Sequence, residues 1–271
     1  MVDATLSRAG GLSPHRFLKF SGLSWFLVAV IGQWLFAYYV IAAYAPETLS
    51  GDWARWDETG LIQGFTQADV IGNLAFISHT LLTFIICVGG TMQLMPPIRN
   101  RFPALHRWTG RTYLLIGAFM AIGGIWMIWG RETRLTDLGG WGTTINGLMA
   151  LVTIAVAFWF ARKRDIDRHR RWAMRTFILL SGVWFTRIGY MGWAILTGGA
   201  GMGRSLDGPF DMFIAFGSYL VPLAILELYF WASQYRSSAA KLGMSAVMFA
   251  AAGFTALGTF GAWNMMWSPH I

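Results

Sequence analysis

Charge is scarce in this chain. Only 13% of its 271 residues are Asp, Glu, Lys or Arg, against about a quarter in an ordinary soluble domain. So few charges cannot cover a water-facing surface of this size. Cysteine is scarcer still: Cys87 stands alone, so no disulfide forms within the chain and the redox compartment is left open. There is no Ser/His/Asp nucleophile set, no CxxC zinc pair and no HExxH signature. The N-terminus lacks a cleavable leader pattern, so its first apolar run is expected to remain as a membrane helix. Ten-residue alternating strands are also missing, which excludes an outer-membrane barrel.

What fills the space is apolar. Hydrophobic residues make up 55% of the chain, with fifteen tryptophans, and they fall in runs of about twenty, the length that crosses about 30 Å of hydrocarbon. The expected fold is an all-α polytopic membrane protein with seven transmembrane helices, at roughly 20–44, 71–95, 108–129, 143–160, 176–197, 212–235 and 243–267. The fourth is short, the fifth contains Arg187, and the sixth contains Pro222 and Glu227.

The cations set the expected orientation. With the N-terminus inside, the cytoplasmic segments hold sixteen Lys and Arg: Arg8, Arg16, Lys19, four from Arg99 to Arg111, seven from Arg162 to Arg175, Arg236 and Lys241. The outer loops hold four, Arg55, Arg131, Arg134 and Arg204, together with nine acids against three inside. Basic loops stay in the cytoplasm, so the chain reads N-in and C-out, in a bacterial inner membrane. The net charge of +8 is then explained by orientation and anionic lipid, and nucleic acid is excluded as a partner. The expected partners are the bilayer and subunits of a membrane complex.

One phrase occurs twice. "HRWTGRTYLL" begins at His106 and "HRRWAMRTFILL" at His169. Aligning Arg111-Thr112-Tyr113 with Arg175-Thr176-Phe177 gives an offset of sixty-four residues. The repeat unit is a helix hairpin, about 71–129 and 143–197, in parallel rather than inverted arrangement. Two such hairpins make a four-helix core, with spans 20–44, 212–235 and 243–267 at its periphery. Glycines in "GAFMAIGG" permit close helix approach.

His79, Gly89, Gly90, Gln93, Arg99, Arg101, His106, Arg107, Gly110, Arg111, Tyr113, His169, Arg170, Arg171, Trp172 and Arg175 form an ordered pattern. It resembles a family of uncharacterised multi-pass bacterial membrane proteins, a domain of unknown function, over about residues 70–235. The architecture is more loosely similar to four-helix b-type cytochromes of bacterial membranes, and that likeness implies haem held between histidines of different helices.

Two sets of candidate residues follow. His106 and His169 open two helices at one membrane depth, where both imidazoles suit the iron of a haem b. Arg107, Arg111, Arg170, Arg171 and Arg175 are candidate partners for its propionates. The alternative is that each histidine merely contacts lipid phosphate or a helix end. Within the membrane, His79 lies about 12 Å from one end of its span and Arg187 about 16 Å from the other, at nearly one depth. An unpaired arginine there costs at least about 2.5–3.5 kcal/mol, so an Arg187–Glu227 pair is expected, with His79 or Tyr190 beside it. That pair is read either as a proton relay or anion site, or as a structural tie. "GGAGMG" at 198–203 lacks the lysine of a phosphate loop and is read as a flexible loop. His270 is read as incidental. Three functions stay open: a haem-associated electron-transfer subunit, a non-catalytic accessory subunit, or a membrane enzyme acting on an isoprenoid or lipid.

Overall fold

The computed structural model describes residues 13–58 and 62–271; Arg8, one of the orientation-setting cations, lies outside them. Every regular element among the described residues is helical. The helices are α1 (Pro14–Ser50), α2 (Val70–Leu94), α3 (Pro96–Arg101), α4 (Pro103–Gly130), α5 (Asp137–Arg162), α6 (Ile166–Leu180), α7 (Gly182–Thr197), α8 (Pro209–Gln234) and α9 (Ser238–Ala262). Six of them, α1, α2, α4, α5, α8 and α9 with its continuation to His270, are long and apolar enough to cross a bilayer.

Their starts follow from local chemistry. Proline opens α1, α4 and α8, where its missing N–H costs nothing. Asp69, Thr136, Asp165 and Ser237 cap α2, α5, α6 and α9 by accepting a backbone N–H three residues on. A short 3-10 turn, Trp53–Glu58, folds the acidic loop back so that Trp56 is buried.

The expected fifth span, 176–197, is not one helix. It breaks at Ser181 into α6 and α7, and α6 begins ten residues before that span, at Ile166. The break is held by side chains. Ser181 Oγ donates to the Phe177 carbonyl at 2.8 Å and accepts from Gln33 Nε2 at 2.9 Å. Asn146 Nδ2 donates to the Leu179 carbonyl at 3.0 Å. A backbone group released in an apolar interior must find such a partner.

Cross-contacts fix the direction of each rung. Trp34 bonds Thr91 while Tyr44 packs on Phe76, so α1 and α2 are antiparallel. Gln93 meets Thr109 and Asp69 meets Arg131, so α4 reverses α2. Trp129–Thr144 and His169–Ala157 reverse the chain twice more. Arg175–Glu227 and Tyr190–Asp211 set α8 against the α6–α7 rung. Phe17–Phe249 and Phe36–Trp267 make α9 parallel to α1.

The α6–α7 rung touches all six of the long helices. It packs along α5, α8 and α9. Phe177 lies over Gly90 of α2, Leu180 over Gly117 of α4, and Trp184 over Gly32 of α1. The helices expected at the periphery are not peripheral: the largest apolar core gathers Phe36, Val40, Ile77, Phe177, Trp184, Ile188 and Trp267, from α1, α2, α6, α7 and the C-terminal segment. The reason is the break, which leans α7 onto α9 and α8 rather than along α5.

Glycine permits the closest of these approaches. A Cβ on Gly258 would overlap the Ile188 carbonyl, whereas one on Gly253 would meet nothing within 4 Å. Gly258→Ala is therefore expected to cost about 1–3 kcal/mol through overpacking. Gly253→Ala should be neutral or slightly stabilising. Thermal unfolding of the two variants in one detergent checks this, and equal midpoints would refute the α7–α9 packing.

Candidate functional site

The basic end of the bundle brings the two repeated phrases together. His106 lies in the first turn of α4, beside Gln93 in the last turn of α2. With the Gln93 amide oriented so that both its ends find complementary groups, its NH2 donates to His106 Nδ1 at 2.9 Å and to the His106 carbonyl at 3.2 Å. Its oxygen then accepts from Gly110 N and Thr109 Oγ1. His169 lies in the first turn of α6 and pairs through Nδ1 with the Ala157 carbonyl of α5 at 2.9 Å. A carbonyl only accepts, so His169 Nδ1 carries the proton and Nε2 holds a lone pair. The two imidazoles are within electrostatic range of one another, and Arg99 and Arg107 are within range of His106.

The other arginines are directed elsewhere. Arg175 makes a two-bond bridge to Glu227, at 2.6 and 2.8 Å, and stacks over Trp172 at 4.6 Å. Arg171 lies over Phe230 at 5.3 Å, Arg111 over Trp108 at 5.0 Å, and Arg170 interacts with Tyr229. Of the five cations expected to surround the histidines, Arg107 alone acts on His106. Arg99, on the short α3 that the hydropathy reading did not resolve, joins it.

The expected intramembrane cluster is dispersed. Glu227 belongs to Arg175, not Arg187. It sits near the basic end of α8, and Arg187 is twelve residues beyond Arg175, about 18 Å along the rung. Tyr190 donates to Asp211 Oδ1 at 2.8 Å. His79 faces Gly124, and its buried Nδ1 has no partner among the described residues. Arg187 turns to α1, its guanidinium 5.1 Å from the centre of the Phe36 ring.

Two polar centres escaped the sequence reading. Asp211, buried at the start of α8, accepts from Tyr190, Gly203 N at 2.7 Å and Gly208 N at 2.9 Å. It pins the 198–208 loop, whose Gly198, Gly199 and Gly201 take positive φ. At the acidic end, Arg131 bonds Asp69 at 2.9 Å, Asn73 at 2.7 Å and the Gly64 carbonyl at 3.1 Å. This ties the loop before α2 to the loop after α4. Arg131 is one of only four cations set among nine outer acids, and that was the available signal for it; nothing in sequence spacing marked Asp211.

These features define a polytopic helical membrane protein with a histidine pair at its basic end. The chain belongs to the family described as "Predicted membrane protein (DUF2306)", which matches residues 76–229, more than half of its length and every residue of both basic phrases. No curated protein and no solved structure matches it.

The backbone N–H of Gly72, and then Arg131, hold the Asp69 carboxyl below its ordinary value near 3.8. A depressed folded value means that the stabilisation is complete above the ordinary carboxylate range and is lost as pH falls through the lower folded value. The thermal midpoint should hold between about pH 7 and 5 and fall below about pH 4. Asp69→Asn should flatten that acid limb; an unchanged limb would remove Asp69 as a contributor.

Proposed function

We propose that the protein is a b-type haem electron-transfer subunit of the bacterial inner membrane, with iron held between His106 and His169. The observation that carries this reading is that each ring is tethered through Nδ1, which leaves both Nε2 atoms directed away from their own tethers. Ligating imidazoles are ordinarily oriented by a hydrogen bond donated from the far ring nitrogen, as His169 is by its bond to the Ala157 carbonyl.

The residues fit the group with one adjustment. His169 already has the ligating tautomer, because it donates to the Ala157 carbonyl. His106 requires the Gln93 oxygen, not the NH2, to face Nδ1, a half-turn of one amide. Haem would supply a one-electron couple with bis-imidazole ligation. The chain's own part is to orient both rings, to set the His106 tautomer through Gln93, and to offer Arg99 and Arg107 to carboxylates at the macrocycle edge.

The topology belongs to the same proposal. Counting α6–α7 as one crossing gives seven, with the N-terminus and both basic phrases in the cytoplasm and the C-terminus outside. Gly90, which receives both Tyr113 and its repeat equivalent Phe177, supports the two hairpins as copies.

Two measurements test these statements. Dithionite-reduced protein should show a sharp band in the α region, lost in His106→Ala and in His169→Ala; a wild-type spectrum without it removes the haem reading. In a Cys87→Ser background, Asp165→Cys and Gly201→Cys should react with impermeant maleimide from opposite sides of the membrane. Labelling from one side would leave six crossings.

A further inference from the structure

Arg187 is a cation in the middle of the bundle with no counter-charge among the described residues. It is enclosed between α7, α1 and α2, with Phe36, Tyr39, Tyr44 and Cys87 as neighbours. Its Nη1 donates to the Val183 carbonyl at 3.3 Å. Among the described residues no carboxylate forms an ion pair with it. Glu227 is taken by Arg175, Asp69 by Arg131, and Asp211 by Tyr190 and two backbone amides. Tyr39 and Tyr44 hydrogen-bond to one another, and ordinary phenols and thiols are neutral near pH 7. A charge held in an apolar span without a partner is a mark of a ligand or ion path.

A second observation points the same way. Near Phe36, several buried polar groups have no hydrogen-bond partner among the described residues. The indole N–H groups of Trp184 and Trp267, each in a ring only 1% exposed, have no acceptor among the described residues. Trp267 packs 5.2 Å from Phe36 and 6.2 Å from Tyr39. Trp184 lies one turn away against Gly32, beside the unpartnered Thr259 hydroxyl. Buried donors left without acceptors are rare in native proteins. A guanidinium, two indoles and a hydroxyl gathered on one aromatic wall call for an acceptor-rich anion.

We infer that Arg187 is the anchor of a carboxylate-binding site in the membrane interior, with the rings of Phe36 and Trp184 against the ligand's apolar body. One positive charge matches a monoanion, and a phosphate dianion would demand a second cation. The planar fork of arginine matches the two oxygens of a carboxylate. The aromatic wall suits an organic acid rather than a halide. Such a carboxylate arrives either on a lipid-soluble acid from the bilayer or on a short acid from water. The site does not involve His106 or His169 and stands whether or not they bind haem.

The test uses the full chain in detergent, with radiolabelled oleate as probe and acetate as competitor. Wild-type protein should bind oleate saturably, one per chain. Arg187→Leu should weaken binding at least about tenfold, and Arg236→Ala, at an exposed position past the end of α8, should leave it unchanged. Competition by acetate assigns the site to short acids from water; its absence assigns it to acids from the bilayer. Both results support a carboxylate site. Should Arg187→Leu not fold, Arg187→Gln, which keeps donors and drops the charge, gives the same comparison. Non-saturable uptake by wild type, or equal affinity in the Arg187 variant, overturns the inference.

Discussion

The structure depends on one rung that lipid does not surround. The α6–α7 helix pair contacts every long helix of the bundle, so from Thr176 to Gly192 all its side chains except Val183 are at least partly covered by protein. This is why the rung can break at Ser181 where a lipid-facing helix could not. Gln33 and Asn146, from α1 and α5, supply the polar partners that the break requires. It is also why Arg175 and Arg187 are tolerated there. The six surrounding helices keep their middles almost free of charge, and all regular structure that faces lipid satisfies its own backbone.

Charge elsewhere is settled locally, at the two ends. At the acidic end Arg131 joins two loops through one guanidinium, and Asp211 joins a third loop to α8. At the basic end Arg175 and Glu227 close α6 on α8, with Trp172 and Phe230 covering the pair. The arrangement leaves the histidines in a distinct position. They are held by neutral groups, an amide and a carbonyl, and so keep ring nitrogens that no local carboxylate claims. Arginines engaged in stacking or bridging set the outline of that end, and Arg99 and Arg107 act on His106.

Much of the fold was legible because hydropathy is a one-dimensional signal. The runs at 71–95 and 243–267 match α2 and α9 with its continuation closely. Expected span 108–129 lies inside α4, which starts at Pro103 because the interfacial turn carrying His106 is polar yet helical. The break at Ser181 was not legible. Ser-Gly within an apolar run is ordinary, and its meaning comes from Gln33, 148 positions away in sequence. The Arg187–Glu227 expectation failed for a related reason. Depth counted from span boundaries put Arg187 near Glu227, whereas Glu227 lies at the level of Arg175, about 18 Å along the rung from Arg187. Spacing within one element is local information; choosing between two possible partners on a third element is not.

The same rung carries His169 at its start, Arg187 in its second half, and the break between them. His169 is fixed to α5 through Ala157, and α6 packs along that helix. Beyond Ser181 the chain leaves α5 for α9, and Arg187 is delivered to the aromatic wall of α1. A continuous helix would have carried Arg187 on along α5, away from Phe36 and Tyr39. The serine hinge therefore does more than end one helix. It lets a single rung serve the histidine pair at one end of the bundle and the buried cation at its centre, each against a different partner helix. Gln33 ties the two together, since it bonds the hinge from α1, one turn before Phe36.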